Sequence, residues 1–208
     1  MTTRPLLRSL ACAALLASAA SAGARSPEAG NGRGEAPHYA AAFDAQTQSA
    51  DVQLCLPQAH ASVTFAADSG WAMRFISAVK RAGGAAADAA NVTAGDGAWR
   101  ANDWHAGECL SYRADLHAIA QERKPDVGWQ MGGDFIAAPQ LWLLRADVQG
   151  DADAEISVDL PTGWAISAPW RELGREGKNI RFHIPNTPSD WSAAVAFGHF
   201  GEERIALP

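Results

Sequence analysis

The sequence predicts a mainly β chain, an antiparallel β-sandwich-like domain with at most one or two short helices. Three observations carry that prediction. Short runs alternating apolar and polar residues recur from about residue 52 onward. Clusters of Gly, Pro, Asn and Asp separate them, and helical spacing is confined to one stretch, 69–82. Strands at this spacing with few helices are the pattern of two packed sheets.

The first 22 residues read as a signal peptide. Arg4 and Arg8 form a basic start, Leu10 to Ala19 an apolar run, and Ala20-Ser21-Ala22 a small-residue cleavage site. The run is too short and alanine-rich for a membrane span, which needs about 20 predominantly apolar residues. Cys12 has almost no apolar run before it, which argues against a lipid-attachment cysteine. An exported chain, periplasmic or secreted, is expected. Cleavage would move the formal charge from −6 to 15 − 23 = −8. Without a basic cluster, that acidity argues against nucleic acid, whose binding is dominated by cationic contacts to phosphate.

Residues 23–50, rich in Gly, Ala and Pro with only Tyr39 and Phe43 as bulky anchors, read as a flexible leader. Residues 51–208 read as the sandwich-like domain. "VQLCL" (52–56) and "SVTFA" (62–66) flank a Pro-containing turn and predict a hairpin. Over 69–82 the spacing of Trp71, Phe75, Ala78 and Val79 favours a helix, although Trp71, Met73, Phe75 and Val79 also fit a strand. A low-complexity loop follows over 84–98. "CLSYRADLHAI" (109–119) is the clearest alternating strand, and "LWLLRADV" (141–148) suits an inner one. "EISVDLP" alternates Ile156, Val158 and Leu160 with polar residues. Pro161 and Gly163 then supply a tight turn, Pro161 at its second position, which makes Pro161-Thr162-Gly163 with Trp164 a hairpin corner. Ile180, Phe182 and Ile184, the run 191–200, and "ERIALP" at the end give further strands.

After cleavage Cys55 and Cys109 remain, an even number that reads most simply as one disulfide in an oxidising compartment. Chemistry-bearing motifs are missing. The six histidines are scattered singly, no His-Glu-x-x-His pair exists, and "HFGEE" (199–203) lacks the second histidine of the inverted form. No nucleophile elbow surrounds Ser189 or Ser192. "AGDG" (94–97) and "GGDF" (132–135) lack a phosphate-cradling context. No catalytic or metal-ligating residue is therefore assigned, and no cofactor is expected in this chain. Of eight tryptophans, Trp142, Trp164, Trp170 and Trp191 lie on apolar periods. Trp99, Trp104 and Trp129 fall in loops and are the candidates for contact with a peptide or glycan.

"AEISVDLPTGWAISAPW" and "NIRFHIPNTPSDWSAAVAFGHF" together resemble the N-terminal β domain of the glycyl aminopeptidase family of zinc metallopeptidases, in which an LP-x-GW corner joins strands ahead of the catalytic domain. The resemblance covers roughly residues 109–208 and is strongest over 155–200. It implies a non-catalytic β module with a catalytic domain following in cis, and zinc only in that downstream domain. Because His-Glu-x-x-His is absent here, no family residue is carried over. A free-standing exported module binding glycan or peptide is the alternative, and the expectation is that the chain is the front part of a longer polypeptide.

Overall fold

The computed structural model describes residues 36–67, 69–83, 92–124, 126–186 and 193–201. Residues 1–22, expected as a signal peptide, residues 23–35 of the expected leader, Asp68, residues 84–91, Ser189, Trp191, Ser192 and the strand expected over 203–208 lie outside these. In chain order the strands are β1 (His38–Asp44), β2 (Ser49–Cys55), β3 (His60–Ala66), β4 (Ile76–Ala82), β5 (Val92–Gly95), β6 (Ala98–Trp104), β7 (Cys109–Asp115), β8 (Gly128–Met131), β9 (Asp134–Ala137), β10 (Arg145–Ala146), β11 (Ala154–Asp159), β12 (Ala165–Ser167), β13 (Arg171–Glu176), β14 (Asn179–Ile184) and β15 (Val195–Gly198). A 3-10 turn spans Gly70–Phe75 and a short helix, α1, spans Leu116–Gln121.

Period-two patterning builds the main sheet, ordered β13-β14-β11-β1-β2-β7-β4. Its registers align Phe182, Ile156, Tyr39, Leu54 and Leu110 in one row across five strands, and Ile180, Val158, Ala41, Val52 and Tyr112 in the next. All ten are buried. Two four-stranded sheets, β10-β3-β6-β5 and β12-β15-β9-β8, complete the fold. Every named pair is antiparallel except β1 with β11, which is parallel. The mainly β prediction holds.

β1 corrects the part of the expected flexible leader that the structure describes, 36–50. Tyr39, Ala41 and Phe43 face the core, and the strand lies between β2 and β11 in the middle of the sheet. Its alanines lower local strand propensity, but two flanking ladders satisfy its backbone. The hairpin of 52–56 with 62–66 is also overturned. β2 pairs with β1 and β7, β3 with β6 and β10, so the chain between them changes sheet. Over 69–82, the helix gives way to the 3-10 turn and then to β4, which pairs with β7 across a bulge at Ser77–Lys80. The strand predicted over 109–119 ends at Asp115. Its carboxylate accepts from the Ala118 N–H and so caps α1.

The 161–163 break makes a turn but not a hairpin. Trp164 N–H donates to Pro161 O at 3.1 Å and Gly163 has φ +84°, so Pro161 occupies the first position of the turn. β11 belongs to the main sheet and β12 to the sheet with β15, so this corner carries the chain between layers.

The inner strand predicted over 141–148 is instead the end of one 3-10 turn, an irregular stretch, the two-residue β10 and the start of a second 3-10 turn, Asp147–Gln149. Leu141, Trp142, Leu143 and Leu144 are all buried, and a strand would have sent alternate residues to opposite faces. Two tyrosines supply the missing backbone partners. Tyr112 OH donates to Trp142 O and accepts from Leu144 N–H, both at 3.1 Å, while Tyr39 OH donates to Leu144 O at 2.8 Å. Burial raises the pKa of both phenols, so they stay protonated as donors.

Cys55 and Cys109 face each other across β2 and β7 and form the disulfide. Beside it lies a buried ion pair. The Arg81 guanidinium engages the Glu108 carboxylate, donates to Asn102 O and Asp103 O, and lies 5.2 Å from the Trp104 ring centre. It therefore ties β4 of the main sheet to the end of β6 in a second sheet. Burial pushes the Glu108 carboxyl up, but Arg81 and the His105 backbone N–H outweigh it and hold the pKa below its ordinary value.

Three outcomes test these links. Replacing Tyr112 by Phe leaves Trp142 O and Leu144 N–H unpartnered, and chemical denaturation should show a loss of about 2–4 kcal/mol, since each unsatisfied buried group costs about 1–3 kcal/mol. Alkylation without reductant should label neither cysteine, and reduction should lower stability by about 4 kcal/mol on the chain-entropy model. Because folding lowers the Glu108 pKa, its contribution is complete above the unfolded value of 4.5 and is lost as pH falls through the folded value. Glu108→Gln should be less stable than wild type at pH 7 and lose less between pH 5 and 3, with Asp44 and Asp51, also lowered in the fold, retaining part of the acid slope.

Candidate functional site

The three tryptophans assigned to ligand contact separate. Trp99 and Trp104 are 8% and 1% exposed and belong to the core, which corrects their placement in loops. β6 explains why. Trp99 and Ala101 alternate inward, then the left-handed backbone at Asp103 (φ +51°) shifts the phase and turns Trp104 inward as well, 5.0 Å from Phe65. An alternating pattern with one such break is hard to recognise in sequence. Trp129, also expected in a loop, lies on strand β8 instead, but it is 45% exposed. Trp71, 40% exposed, went unrecognised because its spacing matched a buried helical stripe.

Trp129 lies in the small sheet β12-β15-β9-β8, whose two faces differ. The inner face carries Phe135, Ala137, Val195, Phe197 and Ile166, all buried. Phe135 and Phe197 stack at 5.3 Å, and Phe43 of β1 lies 5.2 Å from Phe197. Gly128 also faces inward against α1, where a Cβ would meet Ile119 O at 2.6 Å. On the outer face the registers align Trp129, Ile136, Ala196 and Ser167 across all four strands. Met131, opposite Asp134, extends that face and is 79% exposed.

The corner residue Trp164 closes one end of this sheet. Its ring lies 4.8 Å from Phe43 and 4.5 Å from His199. The Asp134 carboxylate accepts from the His199 backbone N–H at 2.9 Å and sits 3.4 Å from its Nδ1. It reaches that position by lying across Gly198, where a Cβ would come within 2.5 Å of Asp134 Cγ.

A polar network borders the inner side of β8. His117 Nδ1 and Gln48 Oε1 are 2.7 Å apart, Gln48 Nε2 donates to Gly133 O, and Gln130 links to Gln121 and to Gly132 O. The turn after β1, α1 and the β8–β9 turn are thereby joined by side-chain hydrogen bonds.

Among the described residues no three His, Cys, Asp or Glu side chains group so as to hold a metal ion. Asp134 and His199 form an acid–imidazole pair, with Nδ1 and Oδ1 3.4 Å apart. What the site offers is an apolar sheet face bounded by polar turns.

No protein-family model matches the chain, and no curated protein matches it. Among solved structures, the fold is similar to that of an aminopeptidase N family protein from Idiomarina loihiensis, with a TM-score of 0.65 at 12% identity over 82% of this chain and 30% of that one. This likeness is one of fold. An M1 zinc metallopeptidase from Deinococcus radiodurans aligns over 78% of this chain and 40% of that one at 12% identity, but its TM-score of 0.43 carries no argument. The chain thus spans about a third of the first structure's length. The β-module fold implied by the sequence resemblance is present.

Gly198→Ala should displace the Asp134 carboxylate and cost about 1–3 kcal/mol, as expected for overpacking against a closely packed neighbour. Thermal unfolding of the variant measures it, and Asp134→Ala combined with Gly198→Ala should recover part of the loss.

Proposed function

We propose that this chain is the non-catalytic N-terminal β module of an exported, peptidase-like protein, and that it packs against a downstream metallopeptidase domain in cis. One observation carries the reading: 82% of the chain takes a fold that occupies only 30% of an aminopeptidase N family protein. The Cys55–Cys109 disulfide supports an oxidising compartment. Zinc, in this reading, belongs to the downstream domain.

The alternative, a free-standing exported module for glycan or peptide, is favoured by the exposure of Trp129. With Trp99 and Trp104 in the core, its contacts would centre on Trp129.

The reading frame beyond Pro208 and the size of the native protein on an immunoblot separate the two readings. A longer polypeptide carrying His-Glu-x-x-His is expected; a stop directly after Pro208, with native protein near 21.9 kDa or the corresponding cleaved size, would favour the binding module. The purified 208-residue chain should hold no stoichiometric zinc by metal analysis and should not hydrolyse aminoacyl substrates. Chelator-sensitive peptidase activity tracking with the pure chain would defeat the non-catalytic assignment.

A further inference from the structure

We infer that Met131 is an oxidation site of this protein, where peroxide converts the thioether to a sulfoxide, makes the outer face of the β12-β15-β9-β8 sheet more polar and leaves the core intact. The assignment rests on neither functional reading above.

Oxidation of protein sulfur follows access to it. The described residues with sulfur are Cys55, Cys109, Met73 and Met131. Cys55 and Cys109 are already joined, so neither offers a thiol to the oxidant. Met73 belongs to the 3-10 turn Gly70–Phe75 and packs, partly buried, against the core. Met131 differs from all three, being 79% exposed at the end of β8. The turn that follows it leaves the approach open, since a Cβ added at Gly132 or Gly133 would meet nothing within 4 Å. Peroxide therefore reaches Met131 before Met73.

In the reaction the sulfur gives an electron pair to one peroxide oxygen, and the S–O bond forms as the O–O bond breaks. The proton of the transferred hydroxyl passes to the departing hydroxide, which leaves as water. Sulfur is oxidised by two electrons and peroxide is reduced by two. The product is a polar sulfoxide in place of an apolar thioether, and methionine sulfoxide reductases reverse it. Met131 shares its face of β8 with the exposed Trp129 and stands opposite Asp134 of β9. The new dipole thus appears beside an exposed indole, while Phe135, Ala137 and Phe197 remain packed on the inner face. At Met73 the same oxygen would be pushed against core side chains.

The experiment treats the native polypeptide with limiting hydrogen peroxide and reads each methionine by peptide mass spectrometry. Met131 should be oxidised at least about threefold faster than Met73, in keeping with its access. Protein oxidised at Met131 alone should keep its melting temperature and elute earlier from a hydrophobic-interaction column, and a methionine sulfoxide reductase should restore the original elution. Met131→Gln should elute early before any peroxide is added, and Met131→Leu should elute late and show no shift at the same dose. Met131 reacting no faster than Met73 in the native polypeptide overturns the site and leaves both functional readings standing. Unchanged elution after complete oxidation of Met131 overturns the change in surface polarity, and a lowered melting temperature with Met73 still reduced overturns the separation of this site from the core.

Discussion

The arrangement depends on two phenolic hydroxyls. A seven-stranded sheet presents rows of large side chains that must be covered, and part of the cover, Leu141 to Leu144, is paired through its own turn only at the N–H groups of Leu141, Trp142 and Leu143. Apolar side chains alone could not hold it there. Buried peptide groups need partners, and Tyr39 and Tyr112 provide them from adjacent rows of the main sheet. Aromatic bulk and hydrogen bonding come from the same residues. The rows of β1 and β7 are thereby coupled to the chain that leads into β10.

A second coupling works by charge. Arg81 and Glu108 would each be costly to bury alone. Together, with the carbonyls of Asn102 and Asp103 taking the remaining donors, they bind the end of β6 to the main sheet beside the disulfide. One end of the fold is therefore held by a covalent bond and an ion pair, while the opposite turns around β8 are held by neutral amides and aromatic stacking.

Much of the main sheet was legible because its residues alternate cleanly: β7, β11 and β14 could each be read from their apolar positions. β1 was not, since Ala40, Ala41 and Ala42 give little contrast between its faces and the strand is defined by ladders to β2 and to a partner more than a hundred residues away. The 141–144 run misled for the opposite reason, since hydrophobicity specifies burial but not the backbone's partners. Of the three tryptophans expected to be exposed, Trp129 is and Trp99 and Trp104 are not; the left-handed residue Asp103 that turns Trp104 inward carries no strong local signal. The corner at Pro161 and Gly163 showed its turn chemistry in the sequence, but whether the outgoing strand returns to the same sheet depends on pairings made elsewhere. The outer face of the small sheet became visible only when four distant segments were aligned.

The parallel pairing of β1 with β11 has a kinetic consequence. His38 lies beside Glu155, and no ladder between such remote segments can form until nearly the whole intervening chain has been made. Contacts of long sequence separation slow folding, because the loop between them must be closed before the pairing repays that entropy. During synthesis β1 and β2 can meet early, but one side of β1 stays an open strand edge until β11 arrives. That interval is when the chain is most exposed to pairing with another copy of itself, and a chaperone acting on this protein would have most to gain by covering the segment that begins at His38.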